Sequence, residues 1–421
     1  MMGFDNRSKE MDRAIRSRRQ WRWARMGLVI ALALIVLPSC TLAPRRPETV
    51  TAETTLIRLT ASQYPKFSDD LDWDNLETAI GQSLTYLERL PGDTPFVFGP
   101  DTVTANHLAA SLAHFRSFIR SRPDPASLQN FIADQYIVYR SIAGTEGEML
   151  FTGYYEPLLR GSLTQSPRYP FPVYGRPDDL VTVELFRFSP EFKTRQLMAR
   201  LENGRVIPYY DREQIEMAAA LDGKAGVLVW VDDATDLFFL HIQGSGRVIL
   251  DTGETLNIQY NTTNGRPYRS VGKVLIDKGA IAREDMSMQA IRRWLSDHPE
   301  QATGIFHTNP SYVFFKTGPD GPFGSINVRL TPGRSMATDY RLFPKGALAF
   351  IQTAKPVVDG GGQILEWTPL NRFTLNQDTG GAIRGPGRAD IFWGNGPYAE
   401  IAAGYMQHPG TLYFIVLKAP S

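Results

Sequence analysis

Two carboxyl side chains flank a glycine-rich segment near the C-terminus. Gly380 and Gly381 follow Asp378 closely, and Asp390 directly precedes the apolar run Ile391–Trp393. Burial in apolar surroundings raises the pKa of a carboxyl group, as a general acid working near neutral pH requires. The pattern indicates Asp390 as a general acid, with Asp378 binding loop backbone or orienting the site. The open alternative is that both aspartates only accept hydrogen bonds from turn amides.

Tyrosine and tryptophan side chains near glycines form a second chemical signal. Carbohydrate grooves place aromatic faces against sugar rings beside polar hydrogen-bonding groups, although aromatic residues buried in a β core give the same sequence pattern. The residues concerned are Tyr154, Tyr155, Tyr174, Tyr209, Tyr210, Tyr260, Tyr268, Phe392, Trp393 and Tyr398.

Metal, phosphate and serine-nucleophile chemistry are not favoured. No pair among the six histidines has the HExxH arrangement, and His107 and His114 share a predicted helix without a completing carboxylate. The run Asp359–Gln363 has three glycines but no lysine, and predicts a hairpin turn. The run Gln243–Arg247 lacks the G-x-S-x-G elbow, and its flanks predict strand, turn and strand. We therefore expect no metal and no cofactor.

The elements that must position these residues are mainly strands. Helical spacing covers 76–87, 107–119, 127–139 and 285–295. Strands are predicted at 227–231, 237–242, 246–250, 312–316, 326–330, 347–352, 372–376 and 411–417. The 36 glycines and 29 prolines that punctuate them are typical of barrels or sandwiches.

The composition is that of a globular protein. The chain has 421 residues, of which 43% are hydrophobic and 21% charged, so it can bury a sizeable core. The formal net charge is +1, which gives no reason to expect nucleic-acid binding. The single cysteine, Cys40, excludes a disulfide framework and any multi-cysteine metal site.

The N-terminal segment predicts export. A basic stretch ending at Arg25 precedes the apolar run 27–37, which is shorter than the ~20 residues that span a bilayer. The ending Leu37–Cys40 resembles a bacterial lipobox, although Pro38 replaces the usual small residue. We expect a signal peptide over 1–39 and lipid attachment to Cys40. An uncleaved anchor and a signal cut elsewhere are the alternatives.

Four longer motifs carry a family resemblance: Phe151–Pro157 (FTGYYEP), His241–Gly246 (HIQGSG), Pro267–Ile276 (PYRSVGKVLI) and Asn309–Phe315 (NPSYVFF). Over about residues 90–418 the chain resembles the membrane-bound lytic transglycosylase A family of bacterial peptidoglycan-cleaving enzymes. Its C-terminal part resembles the module named for three aspartates, which are Asp339, Asp378 and Asp390 here.

The resemblance implies a mainly β fold with N-terminal helices. A double-psi β-barrel domain would hold a smaller inserted β-barrel domain, with a glycan groove between them. The implied boundaries are a linker over 40–66, the first part of the main domain over 67–157, the insertion over 158–305, and the second part over 306–421.

The resemblance also implies the chemistry. Asp390 would be the catalytic acid, and Asp378 and Asp339 would support it. The groove would be lined by Tyr154, Tyr155, Gln243, Gly244, Ser245 and Gly246. Cleavage of glycan strands would form a 1,6-anhydro product without water, on the periplasmic face of the outer membrane, or else in the periplasm or at the inner membrane. The alternatives are a hydrolase using Asp378 or Glu156 as base, and a non-catalytic glycan-binding lipoprotein. Protein partners remain unknown.

Overall fold

The computed structural model describes residues 51–142, 148–192, 195–381 and 383–419. The predicted signal peptide and Cys40 lie outside the described residues. Within these ranges, no helix is both long enough and apolar enough to span a membrane.

The helices of the described ranges are short. They are α1 (Ala52–Thr55), α2 (Leu76–Leu87), α3 (Ala105–Ile119), α4 (Pro125–Gln135), α5 (Arg212–Met217), α6 (Ala234–Gln243), α7 (Val271–Asp277), α8 (Met288–Asp297), α9 (Pro299–His307) and α10 (Pro397–Tyr405).

The strands make up four sheets. They are β1 (Leu56–Arg58), β2 (Pro95–Phe98), β3 (Asp101–Thr104), β4 (Tyr136–Ser141), β5 (Met149–Tyr154), β6 (Leu158–Ser162), β7 (Phe171–Tyr174), β8 (Val181–Glu184), β9 (Gln196–Glu202), β10 (Arg205–Pro208), β11 (Val227–Val231), β12 (Ser245–Leu250), β13 (Thr255–Thr263), β14 (Val313–Thr317), β15 (Ser335–Ala337), β16 (Leu348–Val358), β17 (Ile364–Asp378), β18 (Arg388–Phe392) and β19 (Gln407–Leu417).

Six strands close into the first barrel. Their order around the ring is β19, β16, β17, β15, β18 and β5, and β5 pairs again with β19. β5 runs parallel to β18 and antiparallel to β19. The predicted mainly β fold with a closed barrel is therefore confirmed, and the double-psi crossing stays a prediction.

A second barrel is built from β14, β13, β12, β6, β11 and β7, in that order. A parallel bridge between Gly175 and Phe315 brings its two edges together. It has a core of its own, which includes Leu159, Val229 and Val248. Its strand β14 lies C-terminal to residue 305, which is the predicted end of the insertion. The other domain boundaries stay predictions.

The N-terminal helices cover the first barrel. α2 buries Leu76, Ile80 and Leu87, so the predicted helix over 76–87 is confirmed. α3 likewise confirms the helix predicted over 107–119. The helix predicted over 127–139 is wrong at its end. Tyr136 begins β4 instead, because the strand's neighbours in the sheet take over its backbone hydrogen bonds.

Two predicted strands are wrong. Residues 237–242 lie in α6, where the Asp233 side chain accepts from the Asp236 amide and Gly244 ends the helix with a φ of 81°. Its apolar run fits a buried helix as well as a buried strand. Residues 326–330 form turns rather than a strand, with Asn327 at a φ of 54°. The hairpin turn predicted around Asp359 is confirmed between β16 and β17.

Candidate active site

Asp390 lies in the middle of β18, which is a strand of the first barrel. It pairs with Thr152 on β5 and with Ala337 on β15, so both of its neighbouring strands are fixed. Ala389 and Ile391 point into the core, because side chains alternate along a strand. Asp390 therefore points to the other face, where its side chain is 13% exposed. This largely buried position agrees with the expectation from the apolar run that follows it.

Two donors hold one oxygen of the Asp390 carboxyl group. The Thr152 hydroxyl donates to Oδ1. Arg388 Nε donates to the same Oδ1 over 3.1 Å, and Arg388 Nη2 lies 3.4 Å from Oδ2. Arg388 also donates to Thr152 Oγ1 from Nε and Nη2, over 3.3 and 3.2 Å. The three side chains form one triangle of contacts.

Asp378 ends β17 and is tied to three donors. The Tyr154 hydroxyl donates to its Oδ2 over 2.9 Å. The amides of Ser325 and Thr379 donate to its Oδ1 over 2.9 and 2.8 Å. Burial raises the pKa of Asp378 to about 6, although these hydrogen bonds oppose the shift and the Asp390 charge adds to it. Asp378 is thus a buried carboxyl group whose pKa is raised even though three donors contact it.

Tyr154 is hydrogen-bonded to Asp378 and lies on β5, the strand next to the one that holds Asp390. It stands two residues after Thr152 on β5, and its ring packs against Phe392 at 5.2 Å between centroids. Burial, followed by the neighbouring charge of Asp378 and then by that of Asp390, raises the pKa of Tyr154 well above its ordinary value. The phenol therefore stays neutral and donates to Asp378.

Asp339 is buried beside the loop that leads to β18. Arg341 Nε donates to Asp339 Oδ1 over 2.9 Å, and the Gly385 amide donates to Oδ2 over 2.8 Å. Burial alone would raise the pKa of Asp339, but the hydrogen bonds from Arg341 and the Gly385 amide outweigh it and lower the pKa. Asp339 anchors the backbone of this loop.

Tyr155 and Gln243 join the two barrels. The Tyr155 amide donates to Gln243 Oε1 over 3.2 Å, and the Tyr155 side chain is only 4% exposed. Burial raises the pKa of Tyr155 to about 12, although the charge of Arg292 opposes the shift. The predicted groove residue Tyr155 is therefore a buried residue beside Arg292.

The turn after α6 places the remaining predicted residues. Gly244 takes a left-handed conformation, and Ser245 starts β12 at a partly exposed position. Gly246 is buried, and a Cβ there would lie 2.6 Å from Leu240 Cδ1 and 3.1 Å from the Pro157 carbonyl oxygen. A larger side chain at position 246 would have to displace the Leu240 side chain and would crowd the Pro157 carbonyl group.

Arg388 and Thr152 are site residues to which the sequence alone assigns no role, whereas Tyr268 is one of the aromatic residues that the sequence indicates as groove candidates. Tyr268 lies between β13 and α7, is 39% exposed, and is near enough to Asp390 for the charge of that carboxyl group to act on it. Burial raises its pKa, while the charges of Arg388 and Asp390 act on it in opposite directions. The sequence feature that indicates a role for Arg388 is its two-residue spacing from Asp390, because this spacing places both side chains on one face of a strand.

The histidines of the predicted helix are occupied elsewhere. His107 Nε2 lies 2.7 Å from the Leu417 carbonyl oxygen, and the His114 ring stacks on Tyr136. Among the described residues, no three His, Cys, Asp or Glu side chains are grouped to hold a metal ion.

Comparison with known proteins gives two matching families. The MltA specific insert domain matches residues 150–316, and the 3D domain matches residues 334–416. Membrane-bound lytic murein transglycosylase A of Vibrio cholerae is 30% identical over 302 residues, covering 70% of this chain and 72% of that protein. The Escherichia coli K12 protein of the same name is 29% identical over 359 residues, covering 83% and 87%.

Solved structures show the same architecture. The membrane-bound lytic murein transglycosylase of Agrobacterium tumefaciens has a TM-score of 0.71 at 28% identity, covering 86% of this chain and 98% of that one. MltA of Neisseria gonorrhoeae has a TM-score of 0.66 at 28% identity, covering 90% and 99%.

The fold and the named relatives place the chain among the lytic transglycosylases, and it is an enzyme of that class. Within the class, the chain belongs to the membrane-bound lytic murein transglycosylase A family.

Proposed function

We propose that Asp390 is the acid with which this lytic transglycosylase cleaves peptidoglycan glycan strands. The bond cleaved is the β-1,4 bond between N-acetylmuramic acid and N-acetylglucosamine. The product is a 1,6-anhydro-muramic end, and no water is consumed.

One observation favours Asp390 over the two other aspartates. Both oxygens of Asp339 and both oxygens of Asp378 accept short hydrogen bonds from protein donors. Among the described residues, Asp390 Oδ2 has one contact, at 3.4 Å to Arg388 Nη2. Asp390 thus has an oxygen available for substrate.

The reaction needs only this carboxyl group. Protonated Asp390 donates its proton to the glycosidic oxygen while the bond from that oxygen to C1 of muramic acid breaks. The oxocarbenium-like C1 is then attacked by the C6 hydroxyl oxygen of the same sugar. Asp390 takes up the C6 hydroxyl proton and returns to its acid form.

The hydrolase alternative lacks a free base. Asp378 accepts from three donors, as described above. Glu156 Oε2 accepts from Arg247 Nε over 2.8 Å and from Asn395 Nδ2 over 3.1 Å. Neither carboxylate is placed to activate a water molecule. Membership of an enzyme family also disfavours a purely glycan-binding protein.

The groove runs between the barrels in this proposal. Tyr268, on the connection after β13, is near enough to Asp390 of the first barrel for the charge of Asp390 to act on it, and Gln243 accepts a hydrogen bond from the Tyr155 amide. Ser245 and Tyr268 are the candidates to contact sugar. Tyr154, Tyr155, Gly244 and Gly246 support the groove walls, since their side chains are engaged or absent.

Attachment to a membrane is part of the proposal. The relatives named above are membrane-bound, and the Leu37–Cys40 sequence resembles a lipobox. We place the enzyme at the periplasmic face of the outer membrane, with lipid on Cys40. Metabolic labelling with an alkyne fatty acid, with Cys40→Ser as the control, tests this attachment.

Mass spectrometry of the products tests the reaction. The detergent-solubilised full chain is incubated with purified peptidoglycan beside Asp390→Asn and, as a matched control, Asp359→Asn in the exposed hairpin turn. We expect anhydro-muramic fragments from the parent and from Asp359→Asn only. Products heavier by one water would establish the hydrolase instead. Wild-type turnover by Asp390→Asn would exclude Asp390 as the acid.

A further inference from the structure

We propose that Arg388 and Thr152 determine which oxygen of Asp390 transfers the proton: they hold Oδ1, and Oδ2 carries the proton to the glycosidic oxygen. This inference rests on the proposed function of Asp390 and assigns positioning roles to two residues that do not need to touch the substrate.

The contacts on the two oxygens are unequal. Oδ1 accepts from the Thr152 hydroxyl and from Arg388 Nε at 3.1 Å, whereas Oδ2 has the 3.4 Å contact with Nη2. A protonated carboxyl group donates through one oxygen and accepts through the other. Because Oδ1 already accepts from two donors, a proton on Oδ1 would point at a donor. The proton therefore resides on Oδ2.

The backbone fixes this choice. Arg388 and Asp390 are two residues apart on β18 and thus share a face of the strand. Thr152 is the register partner of Asp390 on β5. Both strands belong to the closed ring, so the three side chains start from fixed positions. Arg388 also donates to Thr152 Oγ1, which directs the Thr152 hydroxyl hydrogen toward Asp390.

The triangle also favours the charge that develops during the reaction. As the Oδ2 proton moves to the glycosidic oxygen, the electrons of the breaking C1–O bond go to that oxygen. Negative charge then appears on Asp390 and spreads to Oδ1, beside the Arg388 guanidinium and the Thr152 hydroxyl. Donors that act on charge only as it forms accelerate a reaction. The C6 hydroxyl proton later returns to Oδ2 and neutralises the group.

The other charged and titratable groups around Asp390 have roles that differ from the role of Arg388. Asp378 and Tyr154 share a hydrogen bond, and Tyr268, on the connection after β13, is near enough for the charges of Asp390 and Arg388 to act on it. Arg388 is the cation in direct contact with the carboxyl group, at 3.1 Å. Removal of Arg388 therefore leaves the acid without the cation that balances its charge.

Arg388→Ala tests the inference, with Arg384→Ala as the matched control. Arg384 lies in the loop that leads to β18 and donates to the carbonyl oxygens of Gly380 and Ile383. On soluble glycan strands we expect kcat of Arg388→Ala to fall about 100-fold, the range seen when one donor to a developing charge is removed. KM should stay within about twofold. Millimolar guanidinium chloride should restore part of the lost kcat, because a free guanidinium ion can occupy the vacated position.

Thr152 provides an independent test if Arg388→Ala folds poorly. Thr152→Val keeps the side-chain shape and removes the hydroxyl, whereas Thr152→Ser keeps the hydroxyl. We expect Thr152→Val to lose at least tenfold in kcat and Thr152→Ser to retain most of it. Circular dichroism of each variant under the assay conditions should show that the folded fraction is unchanged.

The outcomes distinguish failure of the positioning roles from failure of the proposed function. If Asp390→Asn is inactive while Arg388→Ala and Thr152→Val keep the parent kcat, Asp390 is the acid and the positioning roles are wrong. A folded Arg388→Ala that guanidinium does not rescue, with Thr152→Val as active as Thr152→Ser, also overturns the positioning roles. If Asp390→Asn keeps the parent kcat, the proposed function itself fails.

Discussion

Replacement of Asp378 by asparagine should remove a contribution to the free energy of unfolding that decreases as the pH rises. Burial raises the pKa of Asp378 from an ordinary 3.8 to about 6 in the folded protein. In the unfolded chain the same carboxyl group ionises near its ordinary value. Between these two values the folded state binds more protons than the unfolded state, so the free energy of unfolding falls as the pH rises.

The magnitude follows from the two values. Each pKa unit corresponds to 1.36 kcal/mol, so the interval from 3.8 to about 6 is worth up to about 3 kcal/mol above pH 6. Asparagine does not titrate and still offers one oxygen to the Ser325 and Thr379 amides. Relative to the parent, Asp378→Asn should therefore gain up to about 3 kcal/mol between pH 4 and pH 7. Any change in hydrogen-bond strength adds a constant offset.

Urea unfolding at several pH values between 4 and 8 measures this difference. Asp359→Asn, which removes an exposed carboxylate from the hairpin turn, gives the pH dependence expected from the loss of a surface charge. Other carboxyl groups, such as Asp339 with its lowered pKa, are common to all three proteins and cancel. A stability difference between Asp378→Asn and the parent that stays constant from pH 4 to pH 8 would refute the reasoning. The products of Asp378→Asn should remain anhydro-muramic.

Two further changes test how the barrel holds the site. Asp69→Asn leaves the guanidinium of Arg334 without its charged partner, since the two side chains are 1% and 0% exposed and 2.6 Å apart; we expect a loss of about 3–5 kcal/mol in urea unfolding. Gly153→Ala places a Cβ 2.6 Å from Trp393 Nε1 and 2.8 Å from Ala403 Cα; the strand must shift, and we expect a loss of about 1–3 kcal/mol together with lower kcat. A Gly153→Ala enzyme with the parent kcat and unfolding midpoint would contradict the close packing of β5.

The sequence predicted strands best where flanking turns bound them. The hairpin turn at Asp359 was predictable from its glycines, and the predicted strands 347–352 and 372–376 cover parts of the two long strands that it joins. α6 was not, because the continuous apolar run 237–242 has no helical period. The informative residues were Asp233 before the run and Gly244 after it, which begin and end a helix.

The site was partly predictable for a similar reason. Burial of Asp390 followed from the apolar residues after it. The raised pKa of Asp378 did not follow from the sequence, because it comes from burial, and neighbours of Asp378 such as Tyr154 are far away in the chain and adjacent only in the folded barrel. Tertiary contacts of this kind leave no local pattern.

The closed ring of six strands determines how the enzyme loses its folded active site. β18 has a paired strand on each side, and β5 is itself paired on both sides, so neither can detach from a sheet edge. Opening the acid's surroundings therefore requires separating the ring, and fraying of the outer strand β1 leaves the site intact. On heating, the loss of activity and cooperative unfolding should occur at the same temperature. Backbone amide hydrogens around Asp390 should exchange with solvent only through unfolding of the whole barrel, and therefore at the rate set by that unfolding.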